Sequence, residues 1–436
     1  MSPVNRSAAP GPSSAHPEGT LQRRLGTRDA VVIGLGSMIG AGIFVALAPA
    51  AAAAGKYLLL SLCIAAFVAY CNATSSARLA AVHPESGGTY LYGTRQLGPF
   101  WGYLAGWAFI VGKTASCAAM ALTVGAYAWP GHTRAVAVAV VVALTALNCA
   151  GIHKSVALTR VVVVIVLLAL ALFVGNGIAT GLSASSPALP VNALPVAPLG
   201  VLQAAGLLFF AFAGYARIAT LGEEVRDPQR TIPVAIPIAL GLTLVVYAAV
   251  AGTLLLVLGS GGTAASAAPL LAAARLGPAW MPTVIQVAAL VAATGSLLGL
   301  VLGVSRTTLA MARDGHLPAL LARVDQRRGT PLAAEITVGC VVVALVLLTD
   351  LRGAIGFSSF GVLLYYAVAN AAARTLPRAT APPRWVPIGG LLGTIALAAC
   401  LPVASVLSGG AVIALGALIY ALRGGSAPTM RRANSQ

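Results

Sequence analysis

An apolar stretch with four closely spaced glycines is the part of the sequence best suited to bind a small molecule through its backbone. Residues 31–55 read VVIGLGSMIGAGIFVALAPAAAAAG, with Gly34, Gly36, Gly40 and Gly42 in the first half. About 20 apolar residues span a bilayer, and each glycine costs a helix roughly 1 kcal/mol against alanine. A broken membrane helix is tolerated only where its freed N–H and C=O groups line a cavity or meet a ligand. The alternative is close helix packing through small residues.

A lysine in the middle of another apolar run is the second candidate. Lys113 lies in GWAFIVGKTASCAAM, about fifteen residues from Gly98, which places it ~22 Å along a helix and near mid-bilayer. A charge at that depth is costly and marks a functional site by default. We predict that Lys113 faces the bundle interior and supplies a coupling charge, because desolvation favours loss of its proton. The alternative is a structural ammonium bonded to carbonyls at a helix end.

The composition fixes the elements that must position these residues. The chain is 58% hydrophobic and 8% charged, with a mean hydropathy of +0.91, so a soluble domain could not cover its surface. Ten-residue alternating strands of a membrane barrel are absent. The predicted fold is an all-α polytopic membrane protein. Its twelve predicted spans are 29–53, 57–78, 98–125, 133–151, 160–181, 199–222, 232–258, 281–305, 333–350, 353–373, 385–404 and 407–422.

The distribution of basic residues predicts the orientation. Of 27 lysines and arginines, 21 fall in the tails and loops on one side, four on the other and two within spans. The positive-inside rule therefore predicts cytoplasmic termini, and it explains the net charge of +17 without a nucleic acid partner. Arginine outnumbers lysine 24 to 3, which is typical of a GC-rich bacterial genome and predicts a multi-pass protein of the plasma membrane.

Span 6 repeats the peculiarity of span 1. The aromatic-rich first half of 199–222 ends in FAGY at residues 212–215, and a more polar half follows. Spans 1 and 6 are five spans apart and therefore run in opposite directions. Interrupted helices at matching places in two inverted halves predict a substrate site near the membrane midplane.

Four blocks make the chain similar to the amino acid–polyamine–organocation superfamily, and closest to its cationic-amino-acid-transporter-like branch. They are GLGSMIGAGIF (34–44), HPESGGTYLYGTRQLGPFWGYLAGW (83–107), FFAFAGYARIATLGEEVRDPQRTIPVAI (209–236) and GVSRTTLAMARDGHLP (303–318). The resemblance implies a five-plus-five inverted repeat with discontinuous helices 1 and 6 and two extra C-terminal helices. The expected organisation is a cytoplasmic tail at 1–28, a transporter domain at 29–423 with repeats at about 29–181 and 199–373 and extra helices at 385–422, and a cytoplasmic tail at 424–436.

The resemblance also implies a substrate site at the two breaks. Its residues here are Met38, Ile39, Gly40, Ala41, Gly42, Phe210, Ala211, Phe212, Ala213, Gly214 and Tyr215. The N–H groups at 40–42 would meet a substrate carboxylate, because a helix N-terminus carries partial positive charge. Carbonyls near Met38 and Ile39, with those of span 6, would face the substrate ammonium. The aromatic side chains would be walls or gates, with core packing as the alternative.

Two departures from the family pattern bear on substrate and coupling. Ala216 and then Arg217 follow the span 6 break where relatives often have an acid, and no Asp or Glu lies deep in any span. A cationic side chain would therefore lack a counter-charge, which favours neutral substrates; an acidic one is possible if Arg217 or Lys113 points inward. Val166 stands where proton-coupled members have a lysine in span 5.

A sodium site is a weaker candidate. Thr294 and Ser296 lie in span 8, where sodium-coupled relatives place hydroxyl ligands, but small polar residues are common in membrane helices. Apart from that candidate the sequence predicts no metal site and no cofactor.

The sequence as a whole predicts a secondary transporter for amino acids that works by alternating access, and residue chemistry favours neutral substrates. Its predicted partners are the amino acid, a proton and the lipid bilayer, and symport is favoured over exchange. The alternatives are an exchanger, a cationic amino acid or polyamine permease, and, from another class, a non-transporting amino-acid sensor. A membrane enzyme would need converging Asp, Glu or His residues in the spans, and a channel would show no saturable uptake.

Overall fold

Helices form nearly all the regular structure in the computed structural model, which describes residues 25–83, 85, 87–151, 156–183, 196–219, 225–325 and 329–423. Nine helical stretches in these ranges are long and apolar enough to cross a membrane, and three shorter apolar helices accompany them. Together they confirm the all-α polytopic fold with twelve spans. Residues 1–24 of the predicted N-terminal tail and the whole C-terminal tail at 424–436 lie outside the described residues.

The helices follow the predicted spans in order, and more than one helix makes up a span where the span is broken. In the described ranges the α-helices are α1 (Thr27–Met38), α2 (Ala41–Val45), α3 (Leu47–Ala54), α4 (Leu58–Val82), α5 (Thr89–Leu97), α6 (Pro99–Ala128), α7 (Thr133–Cys149), α8 (Val156–Ser183), α9 (Gly200–Phe212), α10 (Ala216–Ala219), α11 (Pro228–Ala265), α12 (Pro269–Ala274), α13 (Met281–Arg313), α14 (Leu332–Leu348), α15 (Leu351–Ala373), α16 (Trp385–Ala399) and α17 (Val403–Leu422). Several helices continue past the predicted ends, among them α4 beyond 78 and α13 beyond 305. Hydropathy marks only the apolar part of a helix, and a helix continues wherever its backbone hydrogen bonds do.

Spans are assigned to helices in chain order. Span 1 is α1 to α3, span 2 is α4, spans 3 to 5 are α6 to α8, span 6 is α9 with α10, span 7 is α11, spans 8 to 10 are α13 to α15, and spans 11 and 12 are α16 and α17. Within α11, Gly259 has φ 68° and ψ 178°, so the membrane part of span 7 ends there.

The packing of the spans follows the pattern of an inverted repeat. Span 1 packs on span 7, and the equivalent contact, span 6 on span 2, is also present. Span 1 contacts span 5, and its counterpart, span 6, contacts span 10. Span 3 contacts spans 9 and 10, and its counterpart, span 8, contacts spans 4 and 5. Exchanging spans 1 to 5 with spans 6 to 10, in order, therefore turns each of these contacts into its counterpart. Two further spans pack on the outside of this arrangement. Span 11 contacts spans 2 and 10, and span 12 contacts spans 3 and 10.

The buried apolar side chains divide into two main clusters. The larger cluster holds the cores of spans 1, 2, 6 and 7, with contributions from spans 3, 5, 8, 10 and 11. A second cluster joins spans 3, 4, 8 and 9 through residues such as Cys117, Val141, Val301 and Val342. The first cluster contains both broken helices. We call the group formed by spans 3, 4, 8 and 9 the scaffold.

Glycines let the two broken helices approach to backbone contact. A methyl group added at Gly42 would lie 2.7 Å from the Cα of Ala211, and one added at Gly214 would collide with the carbonyl of Ser37. Span 6 therefore lies against span 1 at both breaks, with no room for a side chain between them. This contact brings the two halves of the predicted site together.

The substitution Gly214→Ala tests this close approach. The added methyl group collides with backbone rather than with a flexible side chain, so we expect a loss of roughly 1–3 kcal/mol of stability. The measurement is the thermal unfolding temperature of the detergent-solubilised protein. Gly241→Ala in span 7 is the matched control, because no atom lies within 4 Å of the added methyl group. Equal unfolding temperatures for both variants would contradict the packing described here.

Candidate substrate site at two broken helices

Span 1 breaks at Ile39 and Gly40. Helix α1 ends at Met38, Ile39 has φ −80° and ψ 49°, and Gly40 has φ −98° and ψ −137°, so both residues leave the helical region. From Ala41 the backbone is helical again through α2 and α3. The break leaves N–H groups at the start of the outer half-helix, and carbonyls at the end of the inner half, without partners in their own helices.

Span 6 is interrupted by a 3-10 turn and does not unwind fully. Helix α9 ends at Phe212, a 3-10 turn covers Ala213–Tyr215, and the short helix α10 follows. The stretch 220–224, where the second half of the span was predicted to end, lies outside the described residues. The break in span 6 is therefore a tightened turn, whereas span 1 contains two non-helical residues.

The predicted site residues lie together and are shielded from water. Phe210 is 8% exposed, Ala211 4% and Tyr215 0%, while Met38 and Ile39 of span 1 are 1% and 3% exposed. The remaining ones except Gly214 are buried as well, and Gly214 is partly buried. The structure thus brings all eleven predicted residues into one region of the core, in a conformation that is closed to solvent. Their role in binding stays a prediction.

A tyrosine that the sequence analysis did not identify joins the two breaks. The hydroxyl group of Tyr247, in span 7, lies 2.5 Å from the carbonyl oxygen of Met38 and 3.1 Å from that of Ala211. A phenol has one hydrogen to donate, so the two carbonyls share it. Two carbonyls that were expected to face a substrate ammonium therefore have a protein partner in this conformation.

Lys113 reaches the break in span 6. Its ammonium group donates to the carbonyl oxygen of Ala213 at 3.3 Å, and its side chain is 8% exposed. The hydroxyl group of Tyr366 donates to the same carbonyl at 3.4 Å. No ion pair in the described ranges involves Lys113. The lysine therefore faces the bundle interior, with its ammonium group bonded to a carbonyl at a helix break. This position also fits the alternative role of a structural ammonium without a part in coupling.

The two hydroxyl residues of span 8 do not share a face. The side chain of Ser296 lies directly against Gly40, where a methyl group would collide with its Oγ. Thr294 is two residues away, which rotates it by ~200° around the helix. Only Ser296 therefore approaches the span 1 break.

A buried pair of amides lies beside the site. The side-chain N–H of Asn370, in span 10, donates to Asn72 Oδ1 at 2.6 Å and to the carbonyl of Tyr366 at 2.9 Å. The ring of Tyr366 lies 5.0 Å from that of Tyr215, with the two planes tilted by 30°, and this contact connects the pair to span 6. Single amides in apolar spans were the only sequence signal for this group, and that signal does not show which helices face each other.

The comparison with protein families decides the identity of this arrangement. Residues 25–429 match the family described as amino acid permease, so the match covers almost the entire chain. The chain belongs to the amino acid permease family. The resemblance to the amino acid–polyamine–organocation superfamily is thereby confirmed.

Relatives of this permease carry transporter names. An uncharacterized transporter of Mycobacterium tuberculosis (strain ATCC 25618 / H37Rv) is 63% identical over 405 residues, covering 92% of each chain. A branched-chain amino acid permease of Bacillus subtilis (strain 168) is 28% identical over 409 residues, covering 86% of each chain. A vacuolar cationic amino acid transporter 4 of Arabidopsis thaliana is 27% identical over 399 residues, which is 86% of this chain and 66% of the relative. The permease is accordingly a multi-pass membrane transporter for amino acids.

Replacing Tyr247 by phenylalanine tests the bridge between the breaks. We expect the permease to lose about 1 kcal/mol, because two buried carbonyls lose a shared donor. The unfolding temperature should fall, and the KM for uptake should change several-fold. Tyr70→Phe is the control, since Tyr70 is 40% exposed on the outer surface of span 2. An unchanged unfolding temperature and KM in Tyr247→Phe would show that the hydroxyl contacts do not hold the breaks in place.

Proposed function

We propose that this permease is a secondary active transporter that carries neutral amino acids across the plasma membrane by alternating access, in symport with protons. The observation that carries the proposal is the ammonium group of Lys113 at the broken span 6, with no acidic side chain paired to it in the described ranges. Both termini are proposed to be cytoplasmic, on the strength of the 21-to-4 distribution of basic residues.

Electrostatics at the breaks favour a neutral substrate side chain. A second cation would approach Lys113 in a region that is shielded from water, where repulsion is strong and an unpaired charge is costly. The apolar walls, Phe210 and Phe212, suit an aliphatic side chain instead. Glu335 is the one fully buried acid in the described ranges, and it belongs to the scaffold rather than to the breaks.

The backbone supplies partners for the groups common to all amino acids. The N–H groups at Gly40, Ala41 and Gly42 begin the outer half of span 1, where the helix dipole favours a carboxylate. The carbonyls of Met38, Ala211 and Ala213 accept from Tyr247, Lys113 and Tyr366 in the closed conformation. A substrate ammonium would replace some of these donors. Binding would then alter the contacts that hold spans 1, 3, 6, 7 and 10 together.

The two apolar clusters supply bodies that could move relative to each other. Spans 1, 2, 6 and 7 share one core, and the scaffold has its own. Rocking of the first group against the scaffold would open the breaks to either side in turn. Lys113 belongs to scaffold span 3 but bonds to span 6, so it lies across the moving boundary.

Proton coupling through Lys113 follows from that position. A lysine that loses its proton can no longer donate as an ammonium to the Ala213 carbonyl with full strength. Gain and loss of the proton would therefore strengthen and weaken the link between the two bodies. Val166, at the span 5 position of the family lysine, is 0% exposed and cannot take this role.

A cationic substrate is the second candidate. It is favoured by the similarity to cationic amino acid transporters, whereas the neutral substrate is favoured by similarity to the branched-chain permease and by the charge at the site. Exchange without a proton and sensing without transport are the remaining alternatives, and both are distinguishable in reconstituted vesicles.

Uptake into proteoliposomes tests the proposed substrate and coupling. We expect saturable uptake of leucine, isoleucine, valine or another neutral amino acid, increased by an inward proton gradient. Labelled arginine and spermidine should enter no faster than in empty vesicles. Uptake that needs internal amino acid would indicate an exchanger, and arginine as sole substrate would overturn the electrostatic argument. Binding without uptake would favour a sensor.

Variants of Lys113 test the coupling mechanism. In Lys113→Met we expect gradient-driven accumulation to fall at least tenfold and the pH dependence of uptake to flatten, because the side chain can no longer carry a proton. Exchange between equal internal and external substrate should persist. Lys56→Met is the control, since Lys56 is exposed and lies over the ring of Tyr57. The coupling role is excluded if Lys113→Met and Lys113→Ala both keep pH-dependent uptake.

A further inference from the structure

A buried glutamate lies in the scaffold, away from the two broken helices. Glu335 is in the first turn of α14 and its side chain is 0% exposed. No N–H or O–H group in the described ranges donates to its carboxyl oxygens, and the thiol of Cys149, a weak donor, is the hydrogen-bonding group that meets them. A buried ionised carboxylate normally needs a cation or several donors, because its loss of hydration is costly. The surroundings of Glu335 therefore decide which form of the group is compatible with this position.

Two side chains in the last turns of α7 also carry buried polar atoms without hydrogen-bond partners. Asn148, near the end of α7, donates its amide N–H to the carbonyl of Leu298 at 3.3 Å, and its Oδ1 has no partner. The hydroxyl of Thr145 is also buried without a partner. It lies against Gly339, where an added methyl group would be 2.7 Å from its Oγ1. Because α7 and α14 are antiparallel neighbours, this contact sets the register between them.

The register places Glu335 beside the end of α7. Glu335 precedes Gly339 by one helical turn, and Cys149 follows Thr145 by one turn on the same face. The thiol of Cys149 does lie against the carboxyl group of Glu335. Asn148 is its immediate neighbour in the chain. The carboxyl group of Glu335 therefore meets the thiol at the end of span 4, and the hydroxyl of Thr145 lies one helical turn away.

No described cation neutralises the carboxyl group. Arg306 of span 8 is the charged residue that acts on Glu335, but its side chain is exposed and forms no ion pair with it. Span 3 also packs on α14, and its Cys117 lies in the apolar cluster with Val338 and Val342, further along the helix. The 3-10 turn Ala319–Ala322 contacts α14 and carries no titratable group.

We propose that Glu335 is a proton-binding site of the scaffold and holds its proton in this conformation. A protonated carboxyl removes from the interior a charge that has no ion-pair partner, and it gains an O–H donor. This site is separate from Lys113, and it does not depend on which substrate the permease carries.

Infrared difference spectroscopy of the full-length permease in proteoliposomes tests the proposal directly. We expect a carbonyl stretching band of a protonated carboxyl group at pH 7, which Glu335→Gln removes. Glu85→Gln is the matched control, because Glu85 is exposed and paired with Arg95 at 2.6 Å, and it should leave the band unchanged. Lys113 has no carboxyl group, so the outcome is independent of the coupling test.

Isotope labelling extends the test to the unmodified chain in case Glu335→Gln does not fold. Growth with carbonyl-labelled glutamate should shift the band, whereas labelled aspartate should not. We also expect the unfolding temperature of the wild type to fall relative to Glu335→Gln as the pH rises, because ionisation places a charge without an ion-pair partner in the interior. Absence of the band at pH 7, or a band that labelled glutamate does not shift, would mean that Glu335 is ionised and overturn the proposal.

Discussion

The requirement that every backbone polar group find a partner inside a bilayer governs this structure. Two helices are broken, and each break frees carbonyls and N–H groups that lipid cannot satisfy. Side chains from three other spans meet the carbonyls: Tyr247 from span 7, Lys113 from span 3 and Tyr366 from span 10. The closed conformation is stabilised where these polar groups converge, and the region proposed to bind substrate is also the joint between the helices.

Close packing makes this joint possible. Gly42 and Gly214 have no side chains, so the backbones of spans 1 and 6 touch, and the carbonyls of both come within reach of one tyrosine hydroxyl. The scaffold has an apolar cluster of its own, and its span 3 is joined to spans 6 and 1 by the hydrogen bonds of Lys113 to the Ala213 carbonyl and of Tyr127 to the Phe44 carbonyl. A small number of hydrogen bonds can therefore hold or release the closed arrangement, which suits a transporter that must open to both sides.

The two buried ionisable residues are held in different ways. The ammonium of Lys113 meets a carbonyl dipole at a helix break, so a positive charge is tolerated there. The carboxyl of Glu335 is buried with no ion pair in the described ranges and is met by a weakly donating thiol, so a negative charge there is costly. One group lies on the boundary between the moving bodies and the other lies inside one body. Proton exchange at the two places would consequently have different effects, on motion in the first case and on scaffold stability in the second.

The sequence by itself determined the twelve spans, the two interrupted helices and the family, because hydropathy, glycine spacing and motif order are local properties of the chain. It also identified Lys113, because a charged side chain near the middle of a membrane span is costly and marks a functional position. Tertiary structure alone decided the partners. Tyr247, Tyr366 and the Asn72–Asn370 pair are ordinary residues in apolar spans until packing directs them at a break or at each other. In the sequence Glu335 lies near the start of a predicted span, which does not indicate burial. The neighbouring helices bury it, because burial depends on contacts between segments far apart in the chain.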